Sequence, residues 1–136
     1  MAIVITNAGE ILIHTWAFKS TSTPENLTLK LYSNDYTPVA ASTAGNFTES
    51  SFSGYSAKSL TRSSWVDPTT NGSGKAEITY ASQTFTASGS GTVYGYFVVG
   101  ATSGTCVFAE RFASTRNLNS SDTLTVNMAV TASSEN

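Results

Sequence analysis

The chain has 136 residues, of which 40% are hydrophobic and 11% aromatic, enough for one domain with a packed core. Only 12% of the residues are charged, about half of the usual share, and the net charge is −2. The seven basic residues form no run, which argues against a nucleic-acid partner, and the single cysteine excludes an internal disulfide and a multi-cysteine zinc site.

The chain begins with an apolar, β-prone segment, Ile3-Val4-Ile5, that has two interpretations. Residues 1–6 are either an N-terminal arm that binds a neighbouring subunit or an edge strand of the chain's own sheet. The segment lacks the basic start and the cleavage site of a signal peptide, and no apolar run is long enough to span a bilayer. We therefore expect synthesis in the cytoplasm and no membrane partner.

The next segment predicts a helix from Asn7 to Lys19. Asn7 is the expected N-cap, and Glu10, three residues later, is its expected capping-box partner. The apolar stripe of this segment is broad, so we expect the helix to be covered on more than one side. It contains the only histidine, His14, for which a structural partner on the helix face is the ordinary case.

The remainder of the chain predicts short strands separated by turns. Leucines alternate with polar residues in 26–33, and apolar residues alternate with polar ones in 122–132, as in half-buried strands. A long polar loop is expected at 34–46. Further strands are expected at 55–65, 75–80 and 83–87, although the alternation in 55–65 is poor.

The stretch from Gly91 to Phe112 predicts a central hairpin, with two apolar strands around a loop at 100–104. Neither face of the first strand is polar, so this strand should be covered on both sides. Strict alternation places Val93 with Phe97 on one face of that strand, and Tyr94 with Tyr96 on the other. In the second strand, alternation likewise places Cys106 and Phe108 on one face and Val107 and Ala109 on the other.

These elements predict a single all-β domain over residues 1–136, with the tail 133–136 frayed. The fold class is an antiparallel β-sandwich or a jelly-roll-like barrel with one short N-terminal helix. The expected core residues are Leu27, Leu29, Leu31, Phe97, Val99, Phe108, Leu124, Val126 and Val130.

The sequence shows no constellation of catalytic or cofactor-binding residues. Cys106 lies among valine and phenylalanine in a strand, where a buried small hydrophobe is expected rather than a reactive thiol. Glu77 and Glu110 lie on predicted strands, but no spacing supports an acid–base pair. We find no phosphate-binding loop, dinucleotide fingerprint or metal-ligand cluster. The sequence thus predicts a protein without enzymatic activity, metal or cofactor.

Aromatic residues in loops are the remaining candidates for recognition. Tyr36 and Trp65 fall in or near predicted loops, where exposed rings can stack on sugars or anchor a protein interface. The alternative is that each ring plugs an end of the sandwich. Together with Ile3, Val4 and Ile5, these two residues form the predicted interface.

Several short motifs follow one another in a specific order. They read Glu-Asn-Leu-Thr-Leu-Lys-Leu-Tyr at 25–32, Asn-Asp-Tyr-Thr-Pro at 34–38, Phe-Ser-Gly-Tyr at 52–55, Gly-Tyr-Phe-Val-Val at 95–99 and Ala-Glu-Arg-Phe at 109–112. This order resembles a family of small structural proteins of tailed-phage particles. The resemblance extends over nearly the whole chain, with little match around residue 65 and in 113–121.

The resemblance implies a virion component, and above all a cement or decoration protein that binds the major capsid protein on the outside of the head. It also implies a homo-oligomer, with a trimer favoured over a dimer, because such proteins commonly occupy symmetry axes of the shell. The alternative is a tail or tail-fibre component with a sugar-binding receptor role. The resemblance carries over no catalytic residues.

Overall fold

Two antiparallel sheets form the body of the computed structural model, which describes residues 2–132. The larger sheet has the strand order β1-β7-β6-β2-β3, and the smaller one β4-β5-β8. The strands are β1 (Val4–Ile5), β2 (Leu27–Tyr32), β3 (Lys58–Leu60), β4 (Thr69–Thr70), β5 (Ala76–Thr86), β6 (Gly91–Gly100), β7 (Cys106–Leu118) and β8 (Thr123–Ala132).

The expected all-β sandwich with one short N-terminal helix is confirmed. The expected barrel is not, because among residues 2–132 no strand of one sheet pairs with a strand of the other. The predicted fraying of residues 133–136 lies outside the described residues.

The predicted hairpin is central, as expected. β6 is the third of the five strands and pairs with β7 on one side and β2 on the other. Its inner face contributes Val93, Tyr96 and Val98 to the core between the sheets. Its outer face contributes Phe97 and Val99 to a second apolar cluster. The prediction that this strand is covered on both faces is therefore confirmed.

The strict alternation expected for β6 is wrong at one position. The pairing of β6 with β7 shifts between Val93 and Gly95. An irregularity of this kind changes the face to which the following side chains point. Val93 consequently shares the inner face with Tyr96, whereas Tyr94 packs beside Phe97 on the outer face.

A second shift corrects the prediction for β7. Val98 pairs with Phe108 and Val99 with Cys106, so that Val107 has no partner in the register. Val107 and Phe108 both enter the core between the sheets, while Cys106 joins the outer cluster.

The two apolar clusters lie on opposite faces of the larger sheet. The main cluster fills the space between the sheets and includes Leu29, Leu31 and Leu124, all almost fully buried. The outer cluster lies under the loop that follows β2, where Phe47 stacks on Phe97 with ring centroids 4.7 Å apart. Eight of the nine expected core residues are buried; the ninth, Val130, is half-buried.

The segment from 55 to 87 differs from its predicted strands. Only Lys58–Leu60 of the expected strand 55–65 is extended, and a 3-10 turn at Arg62–Ser64 follows it. The strands expected at 75–80 and 83–87 are one strand, β5, with an irregularity between Tyr80 and Gln83. A bulge of this kind interrupts the alternation of side chains without ending the strand.

The helix α1 (Asn7–His14) continues as a π-helical turn, Thr15–Lys19, so its predicted length is confirmed. Its predicted cap is wrong by one residue. The N-cap is Thr6, whose Oγ1 accepts a hydrogen bond of 2.9 Å from the N–H of Gly9. The same hydroxyl donates to the Cys106 carbonyl, which fixes it in the buried position of the cap. No helix within 2–132 is long and apolar enough to cross a membrane.

Candidate interaction surface

The helix presents an exposed apolar stripe to solvent. Gly9 is the only buried residue of α1, while Leu12 and Trp16 pack in part against the core. Ile11 is 69% exposed and Phe18 is 80% exposed. The expectation that this helix is covered on more than one side is therefore wrong.

The exposed residues of the helix lie in register with one another. Ile11, His14 and Phe18 are spaced by three and four residues, which places them along one side of a helix. The His14 ring meets the Phe18 ring edge to face at 5.9 Å, so the predicted structural partner of His14 is Phe18. We call Ile11, His14 and Phe18 the helix stripe. The two ends of this stripe, Ile11 and Phe18, are large apolar side chains. Such a surface fits a protein partner rather than a small polar ligand.

The opposite side of the same helix borders a pocket at one end of the sandwich. The pocket encloses about 290 Å³, close to the lower limit of volumes typical for ligand sites. Trp16 and Trp65 reach it from different segments, and Glu25 and Arg62 are its charged residues. The remaining lining residues are apolar: Ile5, Ile13, Leu27, Ile78, Val107, Phe108 and Val130.

The predicted N-terminal arm lies in the chain's own sheet. Val4 pairs with Ala109 and Ile5 with Phe108, so β1 is an edge strand on β7. Ile3 and Ile5 are half-buried and pack against the main core. This pairing is the second of the two interpretations drawn from the sequence. Binding of residues 2–6 to a neighbouring subunit stays a prediction.

The structure separates the two loop aromatics of the predicted interface. Trp65 is half-buried, packs edge to face on Tyr80 at 5.0 Å, and lines the pocket together with Ile5. Tyr36 lies beyond the larger sheet, where its ring meets Phe47 at 5.2 Å. The Tyr36 hydroxyl also bonds the Ser42 hydroxyl at 2.8 Å. Ile5 and Trp65 are thus brought together, and Tyr36 is not.

The chemically reactive side chains are dispersed. Cys106 is 2% exposed, and burial raises the pKa of its thiol from 9.0 to about 12, which keeps it protonated and inert at neutral pH. Glu77 accepts a hydrogen bond of 3.0 Å from Asn71. Within residues 2–132 no group of three or more His, Cys, Asp or Glu side chains is arranged to hold a metal ion.

Several charged side chains of the body have local partners. Arg111 pairs with Asp35 at 2.6 Å, and Lys30 pairs with Glu49 at 3.0 Å. The Glu25 carboxylate accepts hydrogen bonds from the backbone N–H and the hydroxyl of Ser103. These contacts tie loops to strands, and none of them involves the helix stripe.

Comparison with models of protein families found no match, and comparison with curated protein sequences found none either.

The sequence signal for the helix stripe was present in the apolar residues around Ile11 and Phe18. The broad apolar pattern did not distinguish residues that the core buries from residues left for a partner. That distinction depends on Gly9, whose contact sets which side of the helix faces β7.

Proposed function

We propose that this chain is a non-enzymatic structural protein of a tailed-phage particle, and specifically a cement or decoration protein on the outside of the capsid. The motif order described above supports the phage assignment. The helix stripe supports a role in binding another protein. Synthesis in the host cytoplasm, followed by attachment to the major capsid protein, completes the proposal; no nucleic acid or membrane takes part.

The observation that carries the binding role is the exposure of Phe18 and Ile11 on one side of a docked helix. Single exposed apolar residues are normal on protein surfaces. Here two large ones lie along the same side of one element, while the opposite side of that element packs on the core. Burial of both side chains stabilises a complex by about 3–6 kcal/mol before the cost of association. Many copies on one shell would multiply that effect.

The β body suits a cement role for mechanical reasons. A cement protein bound across a capsomer boundary prevents separation of the shell subunits, provided that it does not deform itself. Two packed sheets and a buried aromatic cluster supply the rigidity, since packed cores resist continuous deformation. The jelly-roll arrangement expected from the sequence stays a prediction.

Reconstitution on shells that lack the protein tests this proposal. The double variant Ile11→Ser with Phe18→Ser should keep the melting temperature, because both side chains are exposed, and should lose occupancy on the shells. Val39→Ser is the matched control, since Val39 is also apolar and 52% exposed but lies outside the helix, in the loop that follows β2. Full occupancy of the double variant would contradict the proposed docking surface.

A second candidate function is favoured by the pocket. Trp16 and Trp65 border it, and aromatic rings beside charged groups are typical of sugar-binding sites. A tail or tail-fibre component with a receptor role would use this pocket for a glycan. Glycan-array binding that is lost in Trp65→Ala, with folding retained by circular dichroism, would support this function over the cement role. The absence of glycan binding by the folded wild type would exclude it.

A further inference from the structure

The outer edge of β8 is an unprotected strand edge. β8 belongs to the smaller sheet and pairs with β5 from Thr123 to Ala132, except at Asn127, which lies opposite the irregularity in β5. On its other side the structure of residues 2–132 places no strand. A slot of about 330 Å³ runs beside the second half of β8, and it is also lined by Ala2, Ile3, Ile5 and Glu110.

A hydrogen bond at the start of β8 shows which backbone groups face outwards. The N–H of Ala87 donates to the Asp122 carbonyl at 2.8 Å, so this carbonyl points towards β5. Backbone groups alternate in direction along a strand. The odd-numbered residues from 123 to 131 therefore direct their N–H and C=O groups away from β5. The side chains of these residues are exposed and are all small or polar: Thr123, Thr125, Asn127, Ala129 and Thr131.

Devices that normally protect a strand edge are missing from β8. Proteins block free edges with charged side chains, proline or bulges. Residues 123–132 contain no charge and no proline, and the bulge of this sheet lies in β5, between Tyr80 and Gln83. The edge is therefore regular as well as uncharged.

The opposite edge of the same sheet is covered by the chain itself. β4 pairs with the first residues of β5, and the N–H of Val66 donates to the Thr79 carbonyl at 2.9 Å. The two edges of the smaller sheet thus differ in their pairing. Among the described residues, only the β8 edge has a full strand length available for pairing with an added strand.

We propose that β8 binds β8 of a second copy of this chain. The two strands would run antiparallel about a two-fold axis and join two three-stranded sheets into one sheet of six strands. This inference is independent of the proposed function, since it concerns self-association alone. It also chooses the dimer over the trimer expected from the resemblance, because an antiparallel pair of identical strands closes at two copies.

The sequence of β8 is compatible with its own reverse. About a two-fold axis at Asn127, Val126 lies opposite Met128 and Leu124 lies opposite Val130. On the other face Thr125 lies opposite Ala129. Apolar residues thus lie opposite apolar residues, and small or polar residues lie opposite small or polar residues. Matched cross-strand pairs of this kind stabilise two paired strands. No like charges meet, because the strand carries none.

Two substitutions at Ala129 test this edge without altering the core. Ala129→Pro removes an N–H that points away from β5, a position at which an edge strand accepts proline. Ala129→Lys introduces a charge of the kind that natural edge strands use against pairing. Ala81→Lys is the matched control, because Ala81 is also an exposed alanine of the same sheet but lies in β5.

Sedimentation equilibrium of the full chain provides the measurement. We expect a dimer for the wild type and for Ala81→Lys, and a monomer for both Ala129 variants, with the circular dichroism spectrum retained in Ala129→Lys. Should Ala129→Pro fail to fold, Ala129→Lys carries the test alone. A monomeric or trimeric wild type, or a dimer that persists in Ala129→Lys, would overturn the proposal.

Discussion

Gly9 of the helix α1 lies directly on the backbone of Val107 in β7. A Cβ atom at position 9 would come within 2.7 Å of the Val107 Cα, a separation that packed atoms do not adopt. The helix therefore approaches the sheet at a distance that only glycine permits. This contact determines which side of the helix is buried, and it turns Ile11 and Phe18 towards solvent.

Substitution of Gly9 should consequently destabilise the protein by displacing the helix. We expect Gly9→Ala to lower the free energy of unfolding by about 1–3 kcal/mol, the usual cost of overpacking. Gly72→Ala is the control, since no atom lies within 4 Å of a Cβ at that position. Urea unfolding measures both. Equal stability of Gly9→Ala and the wild type would mean that the helix does not rest on β7.

Thr6 should contribute to stability as the N-cap, whereas Asn7 should not. Thr6→Ala removes the acceptor for the Gly9 N–H and the donor to the Cys106 carbonyl. We expect a loss of about 1–2 kcal/mol in the free energy of unfolding. Asn7→Ala tests the cap predicted from the sequence and should change little. Thermal or urea unfolding that shows the larger loss for Asn7→Ala would restore the predicted cap.

Leu29 should be among the most sensitive positions of the core. Its side chain is fully buried at the middle of β2, which lies between β6 and β3. We expect Leu29→Ala to lower the free energy of unfolding by about 2–5 kcal/mol. Val39→Ala, at an exposed position, should cost less than about 0.5 kcal/mol. If chemical denaturation gives Leu29→Ala a similarly small cost, then β2 is misplaced.

The free energy of unfolding should fall at alkaline pH, because a buried thiol and a buried phenol stay protonated in the folded chain. Burial raises the pKa of Cys106 from 9.0 to about 12 and that of Tyr32 from 10.0 to about 12. Above pH 9 the unfolded chain releases the cysteine proton and the folded chain keeps it, so the free energy of unfolding decreases. The cysteine contribution is fully present below pH 9 and is lost progressively between pH 9 and about 12.

The magnitude follows from the difference between the two pKa values. At a pH of about 10.5, Cys106 alone should lower the free energy of unfolding by about 2 kcal/mol. Urea unfolding at successive pH values measures this slope. Cys106→Ala is the control, because it should show a shallower decline over the same range. Identical slopes for the wild type and Cys106→Ala would contradict burial of the thiol.

The elements with simple alternation could be predicted from the sequence. β2 and β8 each bury one face against the core, so a period of two residues identifies both strands and their inward side chains. The central position of β6 also followed from its two apolar faces. In each case the burial of a strand face requires apolar residues on that face, and their spacing is visible in the sequence.

The parts that could not be predicted depend on tertiary contacts. The register shift between Val93 and Gly95 changes the face of the sheet to which the following side chains point. No local sequence pattern indicates this shift. The capping role of Thr6 depends on a carbonyl one hundred residues later, at Cys106. The exposure of Phe18 likewise depends on which side of the helix docks on β7. Sequence patterns identify elements, whereas these features depend on the partner that each element meets.

Electron cryomicroscopy of an intact particle that carries this protein tests the central claim most directly. The proposed function predicts density for the two-sheet body on the outside of the head, across capsomer boundaries, with Ile11 and Phe18 against the major capsid protein. Density for the protein on the tail or its fibres, with a head surface free of it, would contradict the cement role.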